Sequence, residues 1–221
     1  MKRLMRYKWS ILVIVLNLMV MGWFWSQLPS DARIPSHWNI HNEIDGWMSR
    51  NGSLVFGTVL TLGMFLLMYF LPLYSPKYKV YEERFESILP GLTFVLVLFF
   101  ALINVYMLYL AWAGITRPTF QMIFVLMGLL FIFLGNLLPK VPKNFFIGVK
   151  TPWTLSSDEV WQRTHRLAGY LFVISGLILI VKAFVPGLNT GFHNLSMIVA
   201  MGILLYPLLH SFIIYKQIER K

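Results

Sequence analysis

Six apolar runs, each about as long as a bilayer is thick, constrain this chain more than any other feature. They cover residues 9–28, 54–74, 88–113, 120–138, 167–185 and 195–215. A helix needs about 20 apolar residues to cross a hydrocarbon core of roughly 30 Å. Inside that core every backbone amide and carbonyl must find its partner within the protein, which leaves helices as the economical solution for runs of this kind. The fold class read from the sequence is therefore all-α, a polytopic integral membrane protein with six transmembrane helices. Composition agrees, since 57% of the 221 residues are hydrophobic and 13% are charged, far from the balance of a soluble domain.

The net charge of +10 invites a nucleic-acid reading, but the distribution of cations argues for topology instead. Segments 1–8, 75–87, 139–166 and 216–221 hold 15 of the 19 Lys and Arg residues. The intervening loops carry only Arg33, Arg50 and Arg117, with Lys182 near the end of the fifth run, able to snorkel. By the positive-inside rule the expectation is N-in and C-in, with anionic lipid rather than nucleic acid facing the basic segments. The basic residues before Trp9 resemble the start of a signal peptide, but the run is long and lacks a small-x-small cleavage site, so it is read as a retained span. Organisation follows the spans. Residues 1–74 hold the first two with an outer loop at 29–53, residues 75–138 the next two, and residues 139–221 a cytoplasmic arm with the last two.

The arm, residues 139–166, is the most chemically particular stretch. It has three Pro, two Trp and five Lys or Arg within 28 residues. Pro139, Pro142 and Pro152 disfavour helix before them, and Gly148 permits a turn, so 139–153 is expected to be extended or turned. Ser156 to Glu159 reads as a capping box with Ser156 as N-cap. Val160, Trp161, Thr164, Leu167 and Ala168 then share one face of a short amphipathic helix at the membrane surface.

Residues 29–53 hold His37, His41, Glu43 and Asp45 with Trp38 and Trp47. The two His are spaced like metal ligands on a helix, but Pro35, Asn39, Asn42 and Gly46 disfavour that helix. The preferred reading is an ordered interfacial loop without metal. All nine Asp and Glu residues lie outside the runs, which argues against ion-coupled transport. Asn17, Asn104, Asn136 and His210 within the runs are read as interhelical hydrogen-bonding groups, or as a ligand contact at Asn136 or His210. There is no Cys, no metalloprotease, hydrolase or P-loop motif. An acid–base set of His165 with Asp158 or Glu159 is the one catalytic possibility, and the charge pattern of a helix is the preferred account of it. No enzyme activity and no cofactor are expected.

The run from Asn144 to Leu155, NFFIGVKTPWTL, followed by Asp158, Glu159, Val160, Trp161, Thr164, His165 and Arg166, resembles the signature of the Sdp immunity-protein (SdpI) family of bacterial membrane proteins. The outer loop resembles the small domain of unknown function found at the N-terminus of such proteins, through Leu28-Pro29, Ile34-Pro35, His37-Trp38-Asn39, Glu43, Asp45-Gly46 and Ser49-Arg50. Asn42 and Ile44 replace a Gly and a Pro of that pattern, which loosens its turn. The resemblance implies protection of a cell from a secreted peptide toxin, and a signalling role in which a cytoplasmic transcriptional repressor is held at the membrane. The function-bearing positions implied are Gly148, Thr151, Pro152, Trp153, Thr154, Trp161, Thr164, His165 and Arg166 in the arm, and His37, Asn39, Glu43 and Asp45 in the outer loop. A transporter or exporter of a small amphipathic compound or peptide is the alternative.

Overall fold

The computed structural model describes residues 2–39, 43–116, 121–185 and 190–220, with backbone alone at residue 2 and residues 190–194. A short helix α1 (Lys2–Arg6) leads into α2 (Lys8–Gln27), followed by strands β1 (Arg33–Trp38) and β2 (Ile44–Ser49). Helix α3 (Arg50–Tyr69) and the single turn α4 (Leu71–Tyr74) precede a 3₁₀ turn at Lys79–Tyr81 and α5 (Glu82–Trp112). Then come α6 (Gln121–Leu137), a 3₁₀ turn at Leu138–Lys140, α7 (Pro152–Ser156), α8 (Asp158–Phe184) and α9 (Thr190–Glu219). Six of these helical stretches are long and apolar enough to span a membrane, and they match the six runs. The chain is a multi-pass cell-membrane protein.

Several bounds differ from the sequence reading. The second span begins at Arg50 and stops at Tyr69, with Pro72 opening the separate turn α4, because Pro cannot donate into a continuing helix. The third begins at Glu82, its polar first turn carrying Glu82 and Glu83 at the positive end. Residues 158–166 are not a separate surface helix but the first turns of the 27-residue α8. The segment 29–53, expected as an ordered loop, holds strands instead: β1 and β2 pair antiparallel, a strand element inside an otherwise helical protein.

The described residues form two compact units, Met1–Tyr69 with Thr93–Leu126, and Phe70–Leu92 with Met127–Lys221. In the first, α2 and α3 are neighbours; Arg50 at the start of α3 meets the end of α2, and Arg3 of α1, just before α2, meets the end of α3. Arg50, the first residue of α3, donates to the carbonyls of Trp25 (3.1 Å) and Leu28 (2.7 Å) and lies 4.4 Å over the Trp25 ring. Arg3 donates to the Tyr69 carbonyl at 2.8 Å and lies 4.9 Å over its ring. Each cation satisfies carbonyls left open at a helix C-terminus and complements the dipole there. Below the hairpin, Ile34 and Met48, paired across the strands, pack with Met21, Phe24, Leu28, Met107 and Leu108. That burial selects which face of the hairpin turns inward. Asn17 and Asn104 both donate to Met21 Sδ, and Asn104 fills the space a side chain at Gly57 would need.

In the second unit, α6 and α8 approach through glycines seven residues apart on each helix. A Cβ at Gly128 would stand 2.6 Å from the Gly176 carbonyl oxygen, and one at Gly135 2.6 Å from that of Gly169. The contacts are reciprocal, as an antiparallel pair requires. Small residues let the backbones meet where lipid gives no hydrophobic drive to association. Ser175 Oγ on α8 donates to the Ala200 carbonyl of α9 at 3.0 Å.

Candidate functional site

The arm is a folded object, and its order begins with Asn144. This side chain is 1% exposed. Its Oδ1 accepts from the amides of Phe146 and Ile147, both at 2.7 Å, and its Nδ2 donates to the carbonyls of Pro142 (2.8 Å) and Ile147 (3.0 Å). Asn forms such side-chain turns readily because its amide mimics a peptide group. Lys150 Nζ adds bonds to the carbonyls of Phe145 and Phe146 at 3.3 and 3.1 Å.

Next, the chain passes over His165. The Val149 amide donates to Nε2 at 3.0 Å, and Nδ1 lies 2.8 Å from the Trp161 carbonyl oxygen. A carbonyl can only accept and an amide can only donate, so the proton sits on Nδ1 and Nε2 is bare. The imidazole is neutral and stacks on Trp161 at 3.9 Å between centroids. Gly148, at φ +115°, lies so close that a Cβ there would overlap Nε2. Trp161 in turn donates its indole N–H to the Val141 carbonyl at 2.9 Å and packs with Ile88 and Val141.

Thr151, Pro152 and Thr154 then start a helix. Thr151 is the N-cap of α7, Pro152 occupies the first turn, and Thr154 closes a reciprocal capping box, the arrangement in which Pro lacks only an amide that had no partner. Thr154 Oγ1 accepts from the Thr151 amide at 2.9 Å and bonds the Val149 carbonyl at 2.9 Å. Thr151 Oγ1 lies 3.0 Å from Ser211 Oγ, and the Trp153 ring 4.9 Å from Phe212, so α9 anchors the start of this turn. The N-cap of α8 is Ser157, which accepts from Val160 N. The expected cap, Ser156, instead ends α7, because that helix takes up the residues before it.

The placement of the remaining residues is uneven. Val160, Trp161, Thr164, His165 and Ala168 form the buried face of α8, with Leu167 partly buried beside them. Thr164 is fully buried, and its hydroxyl has no partner among the described residues. Arg166 is exposed. The acid–base set does not assemble: His165 is buried, Asp158 pairs with Lys143, and Glu159 pairs with Arg163 at 2.7 Å. Asn136 is exposed and donates to Ile132 one turn back at 2.8 Å. Asn144, Lys143 and Ser211 were missed as site residues. Asn144 had a signal, an Asn between Pro142 and Gly148, whereas Ser211 had none.

In the β1–β2 hairpin His37 Nδ1 lies 2.5 Å from Asp45 Oδ1, both exposed. Asn39 and Glu43 bond reciprocally: Asn39 Nδ2 donates to the Glu43 carboxylate at 3.1 Å, and the Glu43 amide donates to Asn39 Oδ1 at 3.0 Å. Gly46 faces His37 across the strands, where a Cβ would stand 2.7 Å from that of His37. His41 and Asn42 lie outside the described residues. Among the described residues no group of three His, Cys, Asp or Glu side chains is placed to hold a metal.

Six long apolar helices with an ordered polar arm latched between two of them define a multi-pass membrane protein whose distinctive chemistry is at one loop. Residues 140–211 match the SdpI/YfhL protein family, and residues 12–62 match the domain of unknown function DUF1648. It is 37% identical over 60 residues to the "Immunity protein SdpI" of Bacillus subtilis (strain 168). That match covers 27% of this chain and spans 29% of the relative's length. No solved structure matches.

Proposed function

We propose that this protein confers immunity to a secreted antimicrobial peptide toxin, with the arm as its output or conformational latch. The observation that carries the reading is the similarity to an immunity protein, beside a family match over residues 140–211 that holds all of the arm but Pro139. A buried network runs from Asn144 through His165 to Thr151 and Ser211, linking the loop to α8 and α9. In this reading the network is either engaged or released, and its release passes on a change in helix packing. The basic segments favour an N-in, C-in topology with the arm in the cytoplasm, where it could hold a transcriptional repressor. The hairpin, with His37, Asn39, Glu43 and Asp45 exposed or half-exposed, is the natural first contact for a toxin from outside.

The test is survival of a toxin-sensitive bacterial strain expressing the protein, with membrane levels checked. Protection by the parent, and its loss in well-inserted Thr151→Ala and Trp153→Ala variants, is the expected outcome. Insertion without protection would overturn the reading for that toxin.

A further inference from the structure

An open cleft of about 610 Å³ lies beside the arm in the second unit. Four of its lining side chains, Arg84, Lys140, Lys143 and Arg166, are cationic, against the single carboxylate of Asp158. Lys143 is engaged with that carboxylate. Arg84, Lys140 and Arg166 are exposed and make no ion pair among the described residues. The cleft also sits at a definite level. Ser87 precedes the third apolar run, Pro139 follows the fourth and Arg166 precedes the fifth, and all three line it. Three span ends therefore converge where hydrocarbon gives way to the polar headgroups.

We infer that this cleft binds a phosphate group, with Arg84, Lys140 and Arg166 as its ligands. Guanidinium groups match phosphate oxygens in fork geometry, and a lysine adds a point charge. Two sources present that chemistry, the phosphodiester of an anionic lipid headgroup and a free phosphate ion. The position at three span ends favours the headgroup. The inference stands apart from the immunity reading, because its readout is binding.

The experiment uses the full-length protein purified in detergent and stripped of lipid. Binding of dioleoylphosphatidylglycerol is compared with that of dioleoylphosphatidylcholine, and inorganic phosphate is tested both as ligand and as competitor. Each cation near a charged headgroup contributes roughly a fivefold factor in affinity. The triple variant Arg84→Gln/Lys140→Gln/Arg166→Gln is therefore expected to lose the preference for phosphatidylglycerol. An Arg163→Gln/Arg220→Gln control, which removes charge from residues that do not line the cleft, is expected to keep it. Phosphatidylglycerol binding that phosphate does not displace identifies the headgroup, and displacement by phosphate identifies a site for the free ion as well. Equal affinity for the two lipids with no phosphate binding, or a triple variant that binds like the parent, would overturn the proposal. Melting temperatures of all three proteins separate lost binding from lost folding.

Discussion

The amide of Val149 donates to Nε2 of His165, 16 residues later, at 3.0 Å, and this bond holds the arm against the first turns of α8. The histidine serves as an acceptor because its other nitrogen is committed to the Trp161 carbonyl. His165→Leu leaves the partly buried Val149 amide without its partner. The expected cost is about 1–3 kcal/mol, read as a lower melting temperature and faster amide exchange at residues 146–151. A variant with unchanged exchange there would show that the bond does not hold the arm.

Gly148→Ala is expected to be worse, because it combines two faults. Its φ of +115° disfavours any side chain, and the added Cβ overlaps His165. Strain of this type costs on the order of 1–3 kcal/mol before the clash is counted. Gly91→Ala, where nothing lies within 4 Å of the added atom, is the matched control. Equal melting temperatures for the two variants would contradict the geometry.

Asn144→Ala removes two acceptor and two donor bonds at once. With two amides left unpaired, the expected loss is roughly 2–4 kcal/mol, concentrated in the loop. Limited proteolysis should cut near residues 142–150 in the variant while the spans remain protected. Cleavage no faster than in the parent would mean that the loop is held by other contacts.

The reciprocal arginine caps offer a test of additivity. Arg3→Gln and Arg50→Gln should each cost about 1 kcal/mol, Arg50 the more because it bonds two carbonyls. The sites lie at opposite ends of 20-residue helices, about 30 Å apart, so the double variant should show the sum within a few tenths of a kcal/mol. A marked departure in the double-mutant cycle would show that α2 and α3 respond as one element.

Gly135→Val should force α6 from α8, since even a Cβ meets the Gly169 carbonyl oxygen at 2.6 Å. Backbone cannot yield as a side-chain tip can, so a fall in folded protein in the membrane is expected. Gly63→Val, at an open position, should be accumulated like the parent.

The six spans and the membrane class were legible because hydrocarbon imposes a length and a composition that each run carries by itself. The face of α8 was legible too, from the spacing of Val160, Trp161, Thr164 and Ala168, because helix periodicity is local. His165 carries no such signal, since a histidine in the run Arg163-Thr164-His165-Arg166 has no apolar signature. The β1–β2 hairpin was not legible because its inward face is recognisable only with Met21, Phe24, Met107 and Leu108 beneath it.

The amino-acid sequence by itself therefore determined the spans, their order and the existence of an ordered arm, all set by local hydropathy, proline and glycine. Tertiary structure alone decided that Thr151 meets Ser211 and that Val149 meets His165. It likewise decided that Gly128 and Gly135 face Gly176 and Gly169. Those pairings join residues 16 to 60 positions apart, and such partners are chosen by the packing of whole helices, which no local pattern records.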